Sequence, residues 1–332
     1  MIPEAKKRGL GQYFTKERTW LKDNVRDFIL CSGRTVAYDP FAGTGDLLKV
    51  MSDLGFSTAI GLDIDEELGW ELNDSLQEVP SIQDAIIVTN PPYLSNYSAK
   101  RRHIQDKVKK YFDGSNYDDL YLIALSRLIK SQDYVVAIVP ETFINSPFPK
   151  ERVCSINVLE ENPFTETETP VCVVCFDGTP KSPYEVKVFK NDHFKSTLGD
   201  LEEKRLVPSY GARIRFNSPI GKIGLRAVDT TDPKRRISFM ERDKLDYDLG
   251  SIKTSSRIIT LVDADVPDEL LPLFMETCNS ILEKYRAETD DLMLSPFKGN
   301  MKNGVRRRRL DFETCRAIME IAMKRIGTMV NA

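Results

Sequence analysis

The chain has 332 residues, 41% hydrophobic and 29% charged, with no biased tract; this suits a globular protein of about two domains and excludes a disordered or fibrous chain. Its longest apolar runs, such as 135–139 (VVAIV) and 171–176 (VCVVCF), fall well short of the ~18 residues a membrane helix needs. The basic N-terminus has no apolar segment behind it, so no secretory leader and no membrane contact are expected, and a cytoplasmic protein is the default. Net charge is only −3, but the first 180 residues carry 19 Lys and Arg against 27 acids, and the remainder 28 against 23. An acidic first half and a basic second half point to different jobs.

In chain order, a strand over 34–39 runs into a glycine turn (DPFAGTG, 39–45) and a helix. A second strand spans 57–65 and ends in acids, and a third spans 84–90. A polar loop rich in Lys and Arg follows at 99–110, then an amphipathic helix at 118–130 and a fourth strand at 134–140. Strands at 155–161 and 170–177 close the series. Strands alternating with helices predict a mostly parallel sheet covered on both faces. The Gly, Pro and Ser of 177–184 mark a boundary. Beyond it, short strand-like pieces run to about 262 without that rhythm. A helix begins near Asp268, capped by its carboxylate, with Pro272 in the opening turn. A last helix runs from Asp311 to Gly327 with Phe312, Cys315, Met319, Ala322 and Ile326 on one face. The expected architecture is α/β, a Rossmann-like domain over 1–180 followed by a smaller mixed α+β domain over 181–332.

Six scattered cysteines and two histidines leave no convincing metal cluster, so no metal is expected, and histidine-based chemistry is poorly supplied. Cys172 and Cys175 lie three apart in a strand, on opposite faces, and read as core residues. Gly43 and Gly45 sit between strand and helix, where a missing Cβ allows a tight turn and close approach of a ligand; an ordinary strand-to-helix turn has the same look. Asp63 comes eighteen residues after Gly45, at a strand tip, about where an acid holds a ribose hydroxyl pair. Together they suggest a nucleoside-containing cofactor.

The stretch 86–93 (IIVTNPPY) stops an apolar strand on an amide, two prolines and a phenol. This arrangement suits methylation of an exocyclic amine on a base, whose lone pair is delocalised into the ring. Two acceptors on its N–H bonds favour the tetrahedral nitrogen that localises the pair. Asn90 offers a side-chain carbonyl, and Pro91 a backbone carbonyl without a competing N–H. Pro92 stiffens the turn and Tyr93 offers a flat face to the base.

These residues and their order (GQYFT at 11–15, DPFAGTG, GLDID at 61–65, NDSL at 73–76, TNPPY at 89–93) resemble the gamma class of S-adenosylmethionine-dependent DNA amino-methyltransferases of the adenine-N6 type, over roughly 9–178. The resemblance implies a Rossmann-like methyltransferase domain and S-adenosyl-L-methionine as cofactor. Tyr13, Phe14 and Thr15 would wrap that cofactor, Asp39, Ala42, Gly43 and Gly45 would line its amino-acid end, Asp63 its ribose and Asp74 its adenine amine, with Asn90 between cofactor and target. The family stacks a flipped-out base on a second aromatic, and Phe164 stands where that ring is expected; a core aromatic is the bland reading. Extrusion costs a few kcal/mol and stacking returns about 1–3 kcal/mol per base, so two rings can offset what one cannot.

The resemblance further implies double-stranded DNA as partner, with the enzyme working beside a cognate restriction endonuclease or alone. Cytosine-C5 chemistry is rejected because no cysteine follows a proline. Cytosine-N4 enzymes more often carry Ser in place of Asn90. RNA bases and protein glutamine are alternative substrates of the same motif, and a catalytically dead binding protein is a further one. Glutamine enzymes usually place extra mass before the glycine turn; here it lies after the catalytic part and is basic. In that part, Lys234, Arg235 and Arg236, and a loop holding Arg306, Arg307, Arg308 and Arg309, are the expected DNA-phosphate contacts, with a solvated charge run as the alternative.

Overall fold

In the computed structural model, residues 18–165, 167–209, 211–252 and 256–330 are described, with side chains to 327. They form two units, divided between Gly199 and Asp200.

In the first unit, near-continuous apolar runs, buried on both faces in the central strands, build a nine-stranded sheet in the order β3-β2-β1-β4-β5-β7-β6-β8-β9. Helix α1 (Asp23–Cys31) precedes β1 (Val36–Asp39) and α2 (Asp46–Asp53) follows it. Next come β2 (Thr58–Asp63), the short β3 (Glu71–Leu72) and β4 (Ala85–Thr89). Strands β3, β2, β1, β4 and β5 (Val135–Pro140) run parallel. One face of the strands, including Ala37, Ile86, Val88, Val136 and Ile138, packs with Val25 and Ile29 of α1 and Leu47, Leu48 and Met51 of α2. Helix α3 (Asn96–Arg101), α4 (Gln105–Phe112) and α5 (Leu120–Ser131) share a second apolar cluster. β7 (Val171–Phe176) lies antiparallel between β5 and β6 (Val153–Leu159) and is buried along its whole length, Cys172 and Cys175 included.

Two features of this unit differ from expectation. Residues 96–112 are largely helical rather than a loop; Ser95 caps α3 by accepting from the Ser98 N–H, and Val108 is buried with Ile104, Tyr111 and Phe112 packed around it. The unit boundary lies at 199/200 rather than 180/181. β8 (Lys187–Lys190) pairs parallel with β6, and β9 (His193–Thr197) pairs with β8, so the sheet continues past the turn-rich 177–184 stretch.

The second unit opens with α6 (Leu198–Glu203, whose first two residues belong to the first unit). A four-stranded antiparallel sheet follows, in the order β10 (Ile214–Phe216), β13 (Ile259–Ala264), β11 (Ile223–Arg226), β12 (Ser238–Glu241). The pair β14 (Ser295–Asn300) and β15 (Arg306–Arg309) and the helices α7 (Leu271–Thr289) and α8 (Phe312–Val330) complete it. Asp311 caps α8 by accepting from the Thr314 N–H, and Cys315, Met319, Ala322 and Ile326 are buried as the spacing predicts, although the helix continues past Gly327. Asp268 does not cap α7; a short 3-10 turn intervenes and its carboxylate holds Lys222. Asp229 is the hub of this unit. It holds Arg286 through two bonds of 2.9 and 3.0 Å, with side chains 0% and 3% exposed, and accepts the Ile237 and Arg308 N–H groups.

Candidate functional site

The order β3-β2-β1 then β4-β5 means that the chain leaves β1 toward one edge and returns on its other side. At such a switch point the turns after neighbouring strands diverge and open a crevice at their carboxyl ends. A cavity of about 370 Å³ lies there, lined by Asp39 and Asp63 from the tips of β1 and β2, by Asn90 just past β4, and by Ala42, Gly43, Asp74 and Pro92. Seven of the residues singled out in the sequence therefore converge.

The glycine turn is held from below by an unpredicted residue. Trp70 Nε1 donates to the Gly43 carbonyl at 2.8 Å. A Cβ on Gly45, whose φ is +82°, would lie 2.9 Å from the indole, and one on Gly61 2.5 Å from it. Both positions need glycine because the ring fills the side-chain space. Gly45 thus shapes the turn without lining the cavity. Asp63 ties the tip of β2 to the same turn: Oδ2 accepts from Gly43 N at 2.9 Å and Oδ1 from Asp65 N at 3.0 Å.

Asp39 is 1% exposed, and its Oδ1 accepts from the Thr89 hydroxyl at 2.6 Å and from Phe41 N at 3.0 Å. Burial pushes its carboxyl up to about 7, against those two bonds, with the charge of Asp63 adding to the rise. With Asp46, Asp65 and Asp74, five carboxylates line the cavity.

Asp74 faces a cluster brought by α4. Its Oδ2 accepts from Lys110 Nζ at 2.8 Å, the Tyr111 hydroxyl at 3.0 Å and Gln77 Nε2 at 2.5 Å. Burial works against the charge, but the bonds from Lys110, Gln77 and Tyr111 outweigh it and hold the carboxyl below its ordinary range. All three bonds go to Oδ2. Lys107, Lys110 and Tyr111 line the cavity; their signal in the sequence was the helical spacing of Ile104, Val108 and Phe112. Ile64 also lines it at 51% exposure, an apolar side chain left open at a strand tip.

Tyr93 shares its hydroxyl proton between Asn90 Oδ1, at 2.5 Å, and the Ile138 carbonyl of β5, at 2.8 Å. The phenol thereby anchors the Asn90 amide to the next strand. Pro91 is buried and neither it nor Tyr93 is among the cavity-lining residues. Phe164 is 1% exposed and meets Tyr93 edge-on, centroids 6.0 Å apart at 69°. In this arrangement it has no open face for a base and acts as a buttress behind Tyr93. Tyr13, Phe14 and Thr15 lie outside the described residues.

The arginine run is a strand rather than a loop. Side chains alternate along β15, so Arg306 and Arg308 are buried at 6% and 1%, and Arg307 bonds the Asp229 carbonyl at 2.7 Å and covers Phe297. Arg309 is half-buried. Arg235 pairs with Asp246 and Arg236 with Glu283, while Lys234 is exposed. Among the described residues no helix is long and apolar enough to cross a membrane, and no group of three or more metal-ligating side chains is found.

No family model matches the sequence, and no curated protein matches it. Solved structures similar to it include the modification subunit of a putative type I restriction enzyme from Vibrio vulnificus (14% identity, TM-score 0.38, covering 57% of this chain and 48% of that one). Others are a type I restriction-modification methyltransferase subunit from Streptococcus thermophilus (13%, 0.37, 58% and 53%) and a putative class I S-adenosylmethionine-dependent methyltransferase from Listeria monocytogenes (15%, 0.35, 53% and 63%). The chain spans between about half and two thirds of these chains' length.

Proposed function

We propose that this chain is an S-adenosylmethionine-dependent methyltransferase acting on N6 of a flipped-out adenine in double-stranded DNA. The observation that carries the reading is the convergence of the glycine turn, Asp63, Asp74 and Asn90 on one cavity at the β1/β4 switch point. The donor set fits the cofactor, which is cationic, carries a ribose and ends in an adenine amine. Asp39, Ala42 and Gly43 would hold the amino-acid end, with the Asp39 carboxylate facing the ammonium. Asp63 would take the ribose hydroxyls, its spare lone pairs adding to the two backbone bonds it already accepts. Asp74 Oδ1 would accept from the adenine amine, its partner oxygen fixed by α4. Bound there, the cofactor supplies an electrophilic methyl carbon.

At the target, Asn90 Oδ1 and the Pro91 carbonyl would accept the two N–H bonds of the amine, so its lone pair can form the new N–C bond as the cofactor's S–C bond breaks to leave a neutral thioether, and one N–H proton passes to solvent. Tyr93 holds Asn90 in place, and Phe164 keeps Tyr93 from tilting. Residues 200–332 would serve as the target-recognition unit, and a restriction endonuclease is the partner such an enzyme would have in a restriction system.

Nucleoside mass spectrometry tests the reading. The protein is incubated with S-adenosylmethionine and unmethylated duplex DNA, ribosomal RNA or a protein extract in parallel. N6-methyladenine in DNA alone is the expected product; methylated RNA or glutamine with clean DNA would move the substrate. Asn90→Ala should nearly abolish transfer while retaining cofactor affinity, and lost affinity would count against its assignment to the target amine.

A further inference from the structure

Between Lys49 and Lys100 the sequence has no Lys or Arg at all, and nine Asp and Glu. Six cations then fall within eleven residues: Lys100, Arg101, Arg102, Lys107, Lys109 and Lys110, against a single acid, Asp106. The fold brings part of each stretch to one cavity, and α3 packs against α4. The acidic stretch supplies Asp63, Asp65 and Asp74 to its lining, and α4 supplies Lys107 and Lys110.

A wall of carboxylates attracts a cationic cofactor and repels a polyanion. A nucleic acid that delivers a base to Asn90 must bring the flanking phosphates to the same rim, and the carboxylates cannot carry them. The cations of α3 and α4 can. All six are exposed. Lys109 and Lys110 are paired with Asp113 and Asp74. The side chains of Lys100, Arg101 and Lys107 have no ion pair or hydrogen bond among the described residues, unlike those of Arg18, Arg26, Arg34, Arg152 and Lys181, which hold carboxylates. By contrast, two arginines of the 306–309 run are buried. A cation that keeps no intramolecular partner is ready to displace counterions from phosphate.

We infer that α3 and α4 form a phosphate-binding surface at the rim of the candidate active site, on which Lys100, Arg101 and Lys107 hold the backbone of duplex DNA beside the extruded base. This rests on the reading of the site as a base methyltransferase.

The test is the salt dependence of duplex binding, measured by fluorescence anisotropy without turnover. Each phosphate contact contributes about 0.9 to the slope of log K against log salt. Lys100→Gln/Arg101→Gln should flatten the slope by about 1.8 and raise the KM for DNA, with kcat and S-adenosylhomocysteine affinity unchanged. Glutamine keeps helix propensity at these exposed positions, and Lys100→Arg/Arg101→Lys, which keeps both charges, should restore the slope. An unchanged slope in the glutamine variant overturns the inference, as does a slope change with RNA alone. A wild-type protein that methylates DNA while the variant's slope is unchanged sinks this inference by itself. A wild type that makes no methylated DNA, yet shows the slope change on duplex, sinks the proposed reaction by itself. Absence of salt-dependent duplex binding by the wild type sinks the surface outright.

Discussion

Asp39 sits where charge is expensive. Burial raises its carboxyl to about 7, so the folded state binds a proton that the unfolded chain releases near 4. The sign follows: Asp39 costs stability increasingly as pH rises from about 4 through 7, and the full cost is present above that. Asp39→Asn keeps an acceptor for Thr89 and Phe41 and removes the charge. It should therefore raise stability at pH 8 by up to about 4 kcal/mol, a gain that shrinks toward zero as pH falls to 4, read by urea unfolding at both pH values. The same variant should bind the cofactor more weakly at pH 8, and wild-type affinity should rise as pH rises through 7. Tyr93→Phe loses the hydroxyl that anchors Asn90. A hydrogen bond of about 1–1.5 kcal/mol predicts roughly a tenfold drop in kcat with cofactor affinity unchanged. Much of this site was legible because its parts are local: a turn, a strand tip and a strand end each announce themselves within a few residues. Lys110 and Tyr111 did not, because their partner Asp74 lies 36 and 37 positions away.

Helix α4 and strand β15 show what charge hides. In both, the eye meets basic residues and reads solvent or phosphate. Ile104, Val108 and Phe112 carried the helical period all the same. Arginines two apart along β15 share a face, so half of the run enters the core. The glycine turn shows the opposite case, a motif whose glycines were seen but whose cause was not. Trp70 fills the space of both Gly45 and Gly61. Gly61→Ala should cost roughly 1–3 kcal/mol through overpacking. Combined with Trp70→Ala it should cost less than the sum of the two single changes, and strict additivity in a thermal-unfolding cycle would separate the indole from the glycine requirement.

At the scale of the whole molecule, the two units are held by different means. The first is an apolar sheet, whereas the second is organised around the buried Asp229–Arg286 pair. Burial opposes the charge on Asp229, but Arg286 and the backbone bonds from Ile237 and Arg308 outweigh it and hold the carboxyl below its usual range. This stability is present above the unfolded value near 4 and is lost as pH falls through the lowered folded value. Asp229→Ala leaves a buried guanidinium with Asp291 as its remaining carboxylate partner among the described residues and should cost about 3–5 kcal/mol. Acid titration followed by circular dichroism should show the variant losing the second unit's structure at a higher pH than the wild type.

The indole beneath the glycine turn makes the protein its own optical instrument. The chain has two tryptophans. Trp20 is fully buried in the core, and Trp70 bonds the carbonyl of Gly43, a residue of the cavity lining. Trp20→Phe would leave one emitter, whose quantum yield and wavelength follow the turn directly. Occupancy of the cavity can then be watched in real time, on unlabelled protein and without turnover.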